Sequence, residues 1–498
     1  MLYKIILLPL CIKYFILNFV LHIMSDLVLT KGQNSAFRAF KNFIKDNNSK
    51  VFILKGYAGT GKTTLMKIFI EEMEKQNINY RLLASTGRAA KILANFTNIP
   101  AKTVHGEIYT FTDLNQNLEK MIEDINATSV DATGQLFLNF ILSNYDVDNY
   151  EEIYYIVDEA SMIADCPDKN VSQAVFGSGK LLADLFAFNP KGKFIFVGDV
   201  CQLPPITQPF SPALSAYYIE NKYNYNCVES ELTEVVRQSD NIDIVQSAHL
   251  MRKLYSNPQP YKWAKFPMRG YNNIHLLSSQ TSLIKDYIAK VKSNGFNDAT
   301  LICFSNRQSA ITTELLRPAF GHMTNHLEVG DLLLVTQNNL ISGLMNGDLC
   351  VVESIGEKEY RGGLHFIYIS VKELFTQKVY SQLMIEEVLY GNQTNITQQQ
   401  QKNLFINFYY RMNDKGIKQK SREFKDNLMK DPYLNALRVV YGYALTCHKA
   451  QGGEWNNVFL DIPRSVPALE KPYVYQWVYT AMTRAKQNLY LVDDFWIQ

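Results

Sequence analysis

Three features of this sequence predict an α/β fold built as two lobes. The first is an apolar run, Val51 to Leu54, that meets Gly56-x4-Gly61-Lys62-Thr63 and then the helically spaced TLMKIFIEEMEKQ. The second is a pair of buried-type strands, in EEIYYIVDEASM (151–162) and KFIFVGDVCQLPP (193–205), each ending in an acidic residue. The third is the return of strand and helix rhythm at Val439 to Ala444, hundreds of residues later, closing on the strand LYLV.

The glycine-rich string has the spacing of a phosphate-binding loop that leaves a strand and opens a helix. Its glycines let successive backbone N–H groups turn inward around nucleotide phosphates. Lys62 brings a point charge to the β and γ phosphates, and Thr63 a hydroxyl to Mg²⁺. Gly56, Ala58, Gly59, Thr60, Gly61, Lys62, Thr63 and Thr64 are the expected cofactor-binding set. The sequence has no Asn-Lys-x-Asp element to read guanine, so ATP is the expected nucleotide. Gln33, in a short helix read over Thr30 to Phe43, offers an acceptor and a donor pair that suit the N6/N7 edge of adenine. On its own, a lone Gln on a helix is a solvated side chain.

A strand ending in Asp158-Glu159 beside the phosphate loop places the first carboxylate to hold the Mg²⁺ water shell. The second is then placed to orient and deprotonate the attacking water. Gln202 follows the strand that ends in Gly198-Asp199. It is placed to feel the γ-phosphate and to pass its presence to the turn Leu203-Pro204-Pro205, which two prolines stiffen. Arg237, in ELTEVVRQ, is expected to reach phosphates across an interface. Arg484, behind a helix containing Tyr479, Met482 and Thr483, is expected to act as a finger from the second lobe. Lys62, Asp158, Glu159, Gln202, Arg237 and Arg484 form the expected catalytic set, with Thr63 and Asp158 at the metal. A nucleotide site on one lobe faced by arginines from another is a hinge that closes with ATP.

Elsewhere the signals are weaker. The strand Tyr80 to Ala84 runs into Ser85-Thr86-Gly87-Arg88, and Thr103-Val104-His105-Gly106 follows a second turn. Both read either as sugar–phosphate contacts at strand ends or as plain turns. Residues 107–150 are irregular and aromatic, with Tyr109, Phe111, Phe137, Phe140 and Tyr145, and read as a small insertion. A second unit begins near residue 240. Asp331 to Thr336 and Asp348 to Val352 read as antiparallel strands around an Asn346-Gly347 turn. Residues 356–440 lose the α/β rhythm and read as an inserted module. Its Lys418, Lys420 and Arg422 either contact a nucleic-acid backbone or form a solvated face.

The 498 residues are enough for several domains, and 47% hydrophobic with 20% charged content excludes a disordered chain. A net charge of +2 neither demands nor excludes a nucleic-acid partner. Seven cysteines without a C-x-x-C pair disfavour a zinc knuckle or iron–sulfur site and fit a reducing cytosol. The apolar start is broken by Lys4, Pro9 and Lys13 and matches neither a spanning helix nor a cleaved signal. Residues 1–24 are expected to be an extension outside the working protein, with a membrane-associating helix or a packed or targeting segment as the alternatives. No further carboxylate cluster suggests a nuclease.

Taken in order, the motifs resemble the superfamily 1B DNA helicases of the RecD/Dda/Pif type. They are Gln33, GYAGTGKTT (56–64), ASTGRAA (84–90), TVHGEIY (103–109), YIVDEASM (155–162), FVGDVCQLPP (196–205), LTEVVRQ (232–238), TCHKAQGGEW (446–455) and VYTAMTRAK (478–486). The resemblance covers nearly all of 25–498, and within it the bacterial and phage RecD-like, AAA-family ATPases are the nearest. It implies two RecA-like P-loop NTPase lobes, the first formed by 25–106 and 151–238 around a pin- or wedge-type insertion at 107–150. The second lobe is formed by 239–355 and 441–498 around an SH3-like β-rich insertion at 356–440. It implies a monomeric, cytoplasmic ATP- and Mg²⁺-dependent motor that moves 5′→3′ on single-stranded DNA and opens forked or tailed duplex in replication, recombination or repair. Single-stranded-DNA-binding or replication proteins are the implied protein partners. Thr86, His105, Pro205, Thr446 and His448 would lie along the DNA. The alternative is a DNA-stimulated translocase or remodeller without strand separation.

Overall fold

A computed structural model describes residues 29–114, 138–143, 151–167, 174–236, 242–391 and 395–498. In chain order the strands of the first half are β1 (Ser49–Gly56), β2 (Tyr80–Ala84), β3 (Ala101–Thr103), β4 (Tyr109–Leu114), β5 (Leu138–Leu142), β6 (Tyr154–Asp158), β7 (Ala174–Phe176), β8 (Lys193–Gly198) and β9 (Asn226–Leu232). Six of them make a parallel sheet in the order β3-β2-β6-β8-β1-β9. Helices α1 (Lys31–Lys45), α2 (Lys62–Lys75) and α3 (Gly87–Thr97) cover it.

The period of two along each central strand explains why both faces are buried. Phe52 and Leu54 of β1, Ile195 and Val197 of β8, and Tyr154 and Ile156 of β6 pack on one side with Phe40 and Phe69. Val51, Ile53, Phe194, Phe196, Tyr155 and Val157 pack on the other with Leu185 and Phe186. Phe40 of α1 and Phe69 of α2 stack at 4.0 Å over the edge of Phe52, tying the phosphate-loop helix to its strand.

The order corrects one expectation. The strand carrying Asp158 is not beside the phosphate-loop strand, because β8 lies between them. Both runs are apolar enough for the central place, and β8, buried at all six positions, takes it. The acidic ends of β6 and β8 therefore lie side by side. The small insertion is also wider than its sequence span. β4 and β5 pair antiparallel, and β7, which follows Glu159 in the chain, adds a parallel edge to β5.

The second half comprises α4 (Ile242–Ser256), β10 (Ile274–Leu277), β11 (Ala299–Cys303), α5 (Asn306–Ala319), β12 (Leu332–Val335), β13 (Leu349–Arg361), β14 (Leu364–Glu373), β15 (Val379–Ile385), α6 (Gln398–Asp414), α7 (Arg422–Lys430), β16 (Val439–Tyr441), β17 (Leu445–Thr446), β18 (Trp455–Asp461), α8 (Tyr473–Met482) and β19 (Ala485–Val492). A parallel sheet runs β10-β19-β18-β11-β17, and an antiparallel one β15-β14-β13-β12-β16. The antiparallel module thus takes strands from 332–335 and 439–441 as well as from 356–440. Arg317 of α5 fastens it to the parallel sheet through a buried paired contact with Asp331, which also accepts from Tyr443 Oη at 2.8 Å.

The two halves meet around the phosphate loop and along α3, where Lys91 pairs with Asp348 and Arg88 stacks on Trp455. They also meet in an apolar cluster of Leu114 with Phe405, Phe408, Met412, Phe424 and Leu428, where the first insertion touches α6 and α7; Lys425 pairs with Asp113 at 3.3 Å beside it. Among the described residues no helix is long and apolar enough to cross a membrane.

Phe69→Ala removes a fully buried ring from the stack that anchors α2. It is expected to cost about 3–5 kcal/mol in urea-induced unfolding of the first lobe.

Candidate nucleotide site at the lobe interface

The phosphate loop turns on two left-handed glycines, Gly59 and Gly61, each at φ 77°. A Cβ at Gly61 would lie 2.6 Å from Gln33 Nε2, and one at Gly56 would lie 2.8 Å from both Lys62 Cγ and Thr60 Oγ1. Only glycine fits either place. Lys62 Nζ donates to the carbonyls of Gly56 (2.8 Å) and Tyr57 (3.2 Å), and Thr60 Oγ1 donates to Tyr57 O (2.8 Å). Thr63 and Thr64 occupy the first turn of α2.

Gln33 is buried and engaged twice within the protein. Its Oε1 accepts from Thr30 N as half of a capping box for α1, and its Nε2 donates to Thr60 O at 3.1 Å. Its placement is at the phosphate loop, and it braces that loop from outside.

The acidic residues lie at the carboxyl ends of the neighbouring strands. Asp158 accepts from the backbone N–H of Glu159 at 2.9 Å. Burial, with Glu159 next in effect, pushes its carboxyl up to about 7 against a smaller pull from Lys62. Glu159 itself has φ 50°, in the left-handed region that a side-chain-bearing residue avoids. Asp199, at the end of β8, is fully buried, and burial raises its carboxyl while Lys62 lowers it. Gln202 Oε1 is buried and has no hydrogen-bond partner among the described residues.

From the second lobe, α8 docks directly on this set. Tyr479 Oη accepts from Ala58 N of the phosphate loop at 3.0 Å and donates to Asp199 Oδ2 at 2.7 Å. Thr480 Oγ1 accepts from Leu203 N at 2.9 Å. Gln476 Nε2 donates to Val200 O and Gln202 O, and Gln451 Nε2 to Leu203 O. Arg484 lies on the same helix's trailing edge but bonds within its own lobe, to Thr480 O (3.0 Å), Gly453 O (3.4 Å) and Thr483 Oγ1 (3.3 Å). Arg237 lies outside the described residues. Beside the loop, Arg252 of α4 stacks 3.4 Å over the Tyr57 ring, with Glu231 3.7 Å away.

The residues expected along DNA are dispersed around this centre. Thr86 caps α3, accepting from Ala89 N at 3.2 Å, with Gly452 of the second lobe against it. Arg88 next to it stacks on Trp455 at 4.6 Å. Pro205 is buried at the end of the docked turn, followed by Ile206, which is 85% exposed. Thr446 and His448 flank the start of a short helix in the second lobe, and burial lowers the His448 imidazole. His105 stands apart, packed on Phe176 (5.2 Å) and Tyr109 (5.7 Å) at the base of the insertion. Burial lowers its imidazole to about 4, which keeps it neutral near pH 7.

Comparison with known proteins agrees with this architecture. Residues 28–256 match the AAA domain family, and residues 441–492 match the UvrD-like helicase C-terminal domain. The chain is 23% identical to the ATP-dependent RecD2 DNA helicase of Deinococcus radiodurans, over 89% of this chain and 46% of that protein. It is 24% identical to the ATP-dependent DNA helicase dda of Enterobacteria phage T4, over 62% of this chain and 61% of that one. The chain thus spans less than two thirds of either relative. A crystal structure of a Bacteroides Pif1 helicase with ADP-AlF3 and ssDNA aligns over 94% of this chain and 93% of its own at 17% identity, with a TM-score of 0.48.

The donor set at the phosphate loop suits a magnesium nucleotide. The glycine-turned loop and the Lys62 ammonium suit phosphates. Asp158 is a half-buried carboxylate at a strand end, the kind of ligand a hard divalent ion takes. Asp199 and Tyr479 are the residues whose part the sequence did not disclose. Asp199 ends a buried strand just as Asp158 does, and Tyr479 sits one helical turn from Gln476 on a helix otherwise almost wholly apolar.

Two outcomes are expected. The raised Asp158 carboxyl means the native state holds a proton that the unfolded chain has lost between pH 3.8 and about 7, so this group lowers stability as pH rises through that window. Asp158→Asn should therefore raise the unfolding midpoint at pH 8 in magnesium-free buffer, with little change at pH 4. Glu159→Gly relieves the left-handed strain and should add up to about 1 kcal/mol of stability in chemical denaturation while ATP hydrolysis is lost.

Proposed function

We propose that this protein is an ATP-dependent motor that moves 5′→3′ along single-stranded DNA and opens forked or tailed duplex ahead of it. The observation that carries the reading is the interface, where a phosphate loop and the buried Asp199 on one lobe are capped by a helix of the other. An arrangement in which the nucleotide pocket is completed by the second lobe couples pocket chemistry to the distance between lobes. The helicase names of the similar RecD2 and dda proteins support DNA as the track. The direction follows from the resemblance to superfamily 1B. The described cysteines are all unpaired, which supports action in a reducing cytoplasm as a single chain.

Bound ATP with Mg²⁺ would supply the phosphoanhydride bond and the charge that neutralises the leaving phosphate. Lys62 and the loop amides would hold the β and γ phosphates, while Thr63 and Asp158 would hold the metal. Gln33 would brace the loop beside the base, with an amide hydrogen left for adenine. Glu159 would take the proton of the attacking water, its strained backbone fixing the carboxylate at the strand end. Gln202, with its unpaired buried oxygen, would sense the γ-phosphate together with Arg237 and Arg484. For Arg484 this requires its guanidinium to leave Gly453 O as the lobes close. Thr86, His105, Pro205, Thr446 and His448 would contact the DNA backbone between the lobes.

The test uses matched duplexes carrying a 5′ or a 3′ single-stranded tail, with unwinding and ATP hydrolysis followed together. Opening of the 5′-tailed duplex alone is expected, and Lys62→Ala should abolish both signals. Hydrolysis stimulated by DNA with neither duplex opened would leave a translocase. Normal turnover by Lys62→Ala would remove the nucleotide assignment.

A further inference from the structure

We infer that Tyr479 is the positioning residue through which the second lobe sets the phosphate loop, and that it does so as one unit with Asp199. The inference rests on the nucleotide reading above and goes beyond it in naming the side chain that carries the cross-lobe signal.

Tyr479 Oη stands between two groups of the first lobe, accepting from Ala58 N at 3.0 Å and donating to Asp199 Oδ2 at 2.7 Å. Asp199 Oδ1 in turn accepts from Cys201 N at 2.9 Å, which fixes the start of the turn. Tyr479 is 1% exposed and Asp199 0%. A lost partner here would leave the Asp199 carboxylate without a hydrogen bond where water does not reach it, and the half-buried Ala58 N–H without its acceptor. Arg484, five residues on, spends its guanidinium within its own lobe. In this arrangement the hydroxyl of Tyr479 is therefore the α8 side-chain group that touches the phosphate loop.

The spacing makes the contact a coupler. Gln476, Tyr479 and Thr480 share one face of α8, at i, i+3 and i+4. That face bonds the backbone of Val200, Gln202 and Leu203 as well as Asp199. Any shift of the helix moves the phosphate loop at Ala58 and the turn leading to Pro205 together. The signal needs no movement of its own in either element, because one rigid helix holds both.

The experiment compares wild type, Tyr479→Phe, Asp199→Asn and the double variant. Steady-state ATP hydrolysis is measured with and without poly(dT), equilibrium binding with a fluorescent ATP analogue, and thermal unfolding alongside. Tyr479→Phe keeps the ring and its packing and removes the hydroxyl alone. Its kcat with DNA should fall about tenfold or more while the nucleotide Kd stays within about threefold and the protein stays folded at the assay temperature, its unfolding midpoint lowered by only a few degrees. Asp199→Asn should do the same, and the double variant should be no worse than the more affected single one, as expected for groups acting as one unit. Unchanged DNA-stimulated kcat in Tyr479→Phe overturns the inference. So does a loss that tracks a matching loss of nucleotide binding or of folding, and so does a double variant whose defects multiply. A wild-type protein that hydrolyses no ATP would overturn the nucleotide reading itself, whereas an active wild type with an unaffected Tyr479→Phe overturns this inference alone.

Discussion

The structure depends on a short turn of the first lobe being buried in the second. Cys201 and Leu203 belong to the same apolar core as Trp477, Val478 and Met482 of α8 and Met251 of α4. The carbonyls of Val200, Gln202 and Leu203 and the amide of Leu203 are matched to side chains of the other lobe, while the amides of Cys201 and Gln202 bond to Asp199. A turn without such partners would carry unsatisfied carbonyls and amides into an apolar interior, at a cost of about 1–3 kcal/mol for each group. The polar residues of α8 remove that cost. They also account for a helix that is buried all round yet holds Gln476 and Thr480 among its apolar residues.

The same region concentrates features that a stability-driven design would avoid. Asp199 is a buried carboxylate and Asp158 a half-buried one, both with raised protonation, Glu159 sits in a left-handed conformation, and Gln202 keeps an oxygen unpaired among the described residues. Groups of this kind persist only where the surroundings over-determine them. Those surroundings are the central strands, which carry aromatic cores on both faces. Rigidity of the sheet and strain at its carboxyl edge are thus two sides of one arrangement.

What the sequence disclosed follows from what is local. The phosphate loop, the acid pair and the buried strands are written in runs of a few residues, with a period or spacing that physics fixes. What it did not disclose needs two distant segments at once. The placing of β8 between β1 and β6 depends on which of two similar apolar runs packs better, and β7 joins β5 from beyond the acidic strand end. Ala58 and Tyr479 are 421 residues apart. Gln33 was legible as a residue of the nucleotide region, but its use as a capping-box member and a brace on Thr60 required the backbone around it.

The contact at the insertions differs in kind from the one at the phosphate loop. Around Leu114, Phe405, Phe408 and Phe424 it is apolar, and the ion pair Lys425–Asp113 beside it is half exposed. Apolar burial is non-directional, and an exposed ion pair is worth under about 1 kcal/mol. At the phosphate loop, by contrast, the contacts are directional hydrogen bonds within a buried core. The register of α8 on the turn from Asp199 to Leu203 is therefore fixed by hydrogen bonds, whereas the insertion is held on α6 and α7 by packing area.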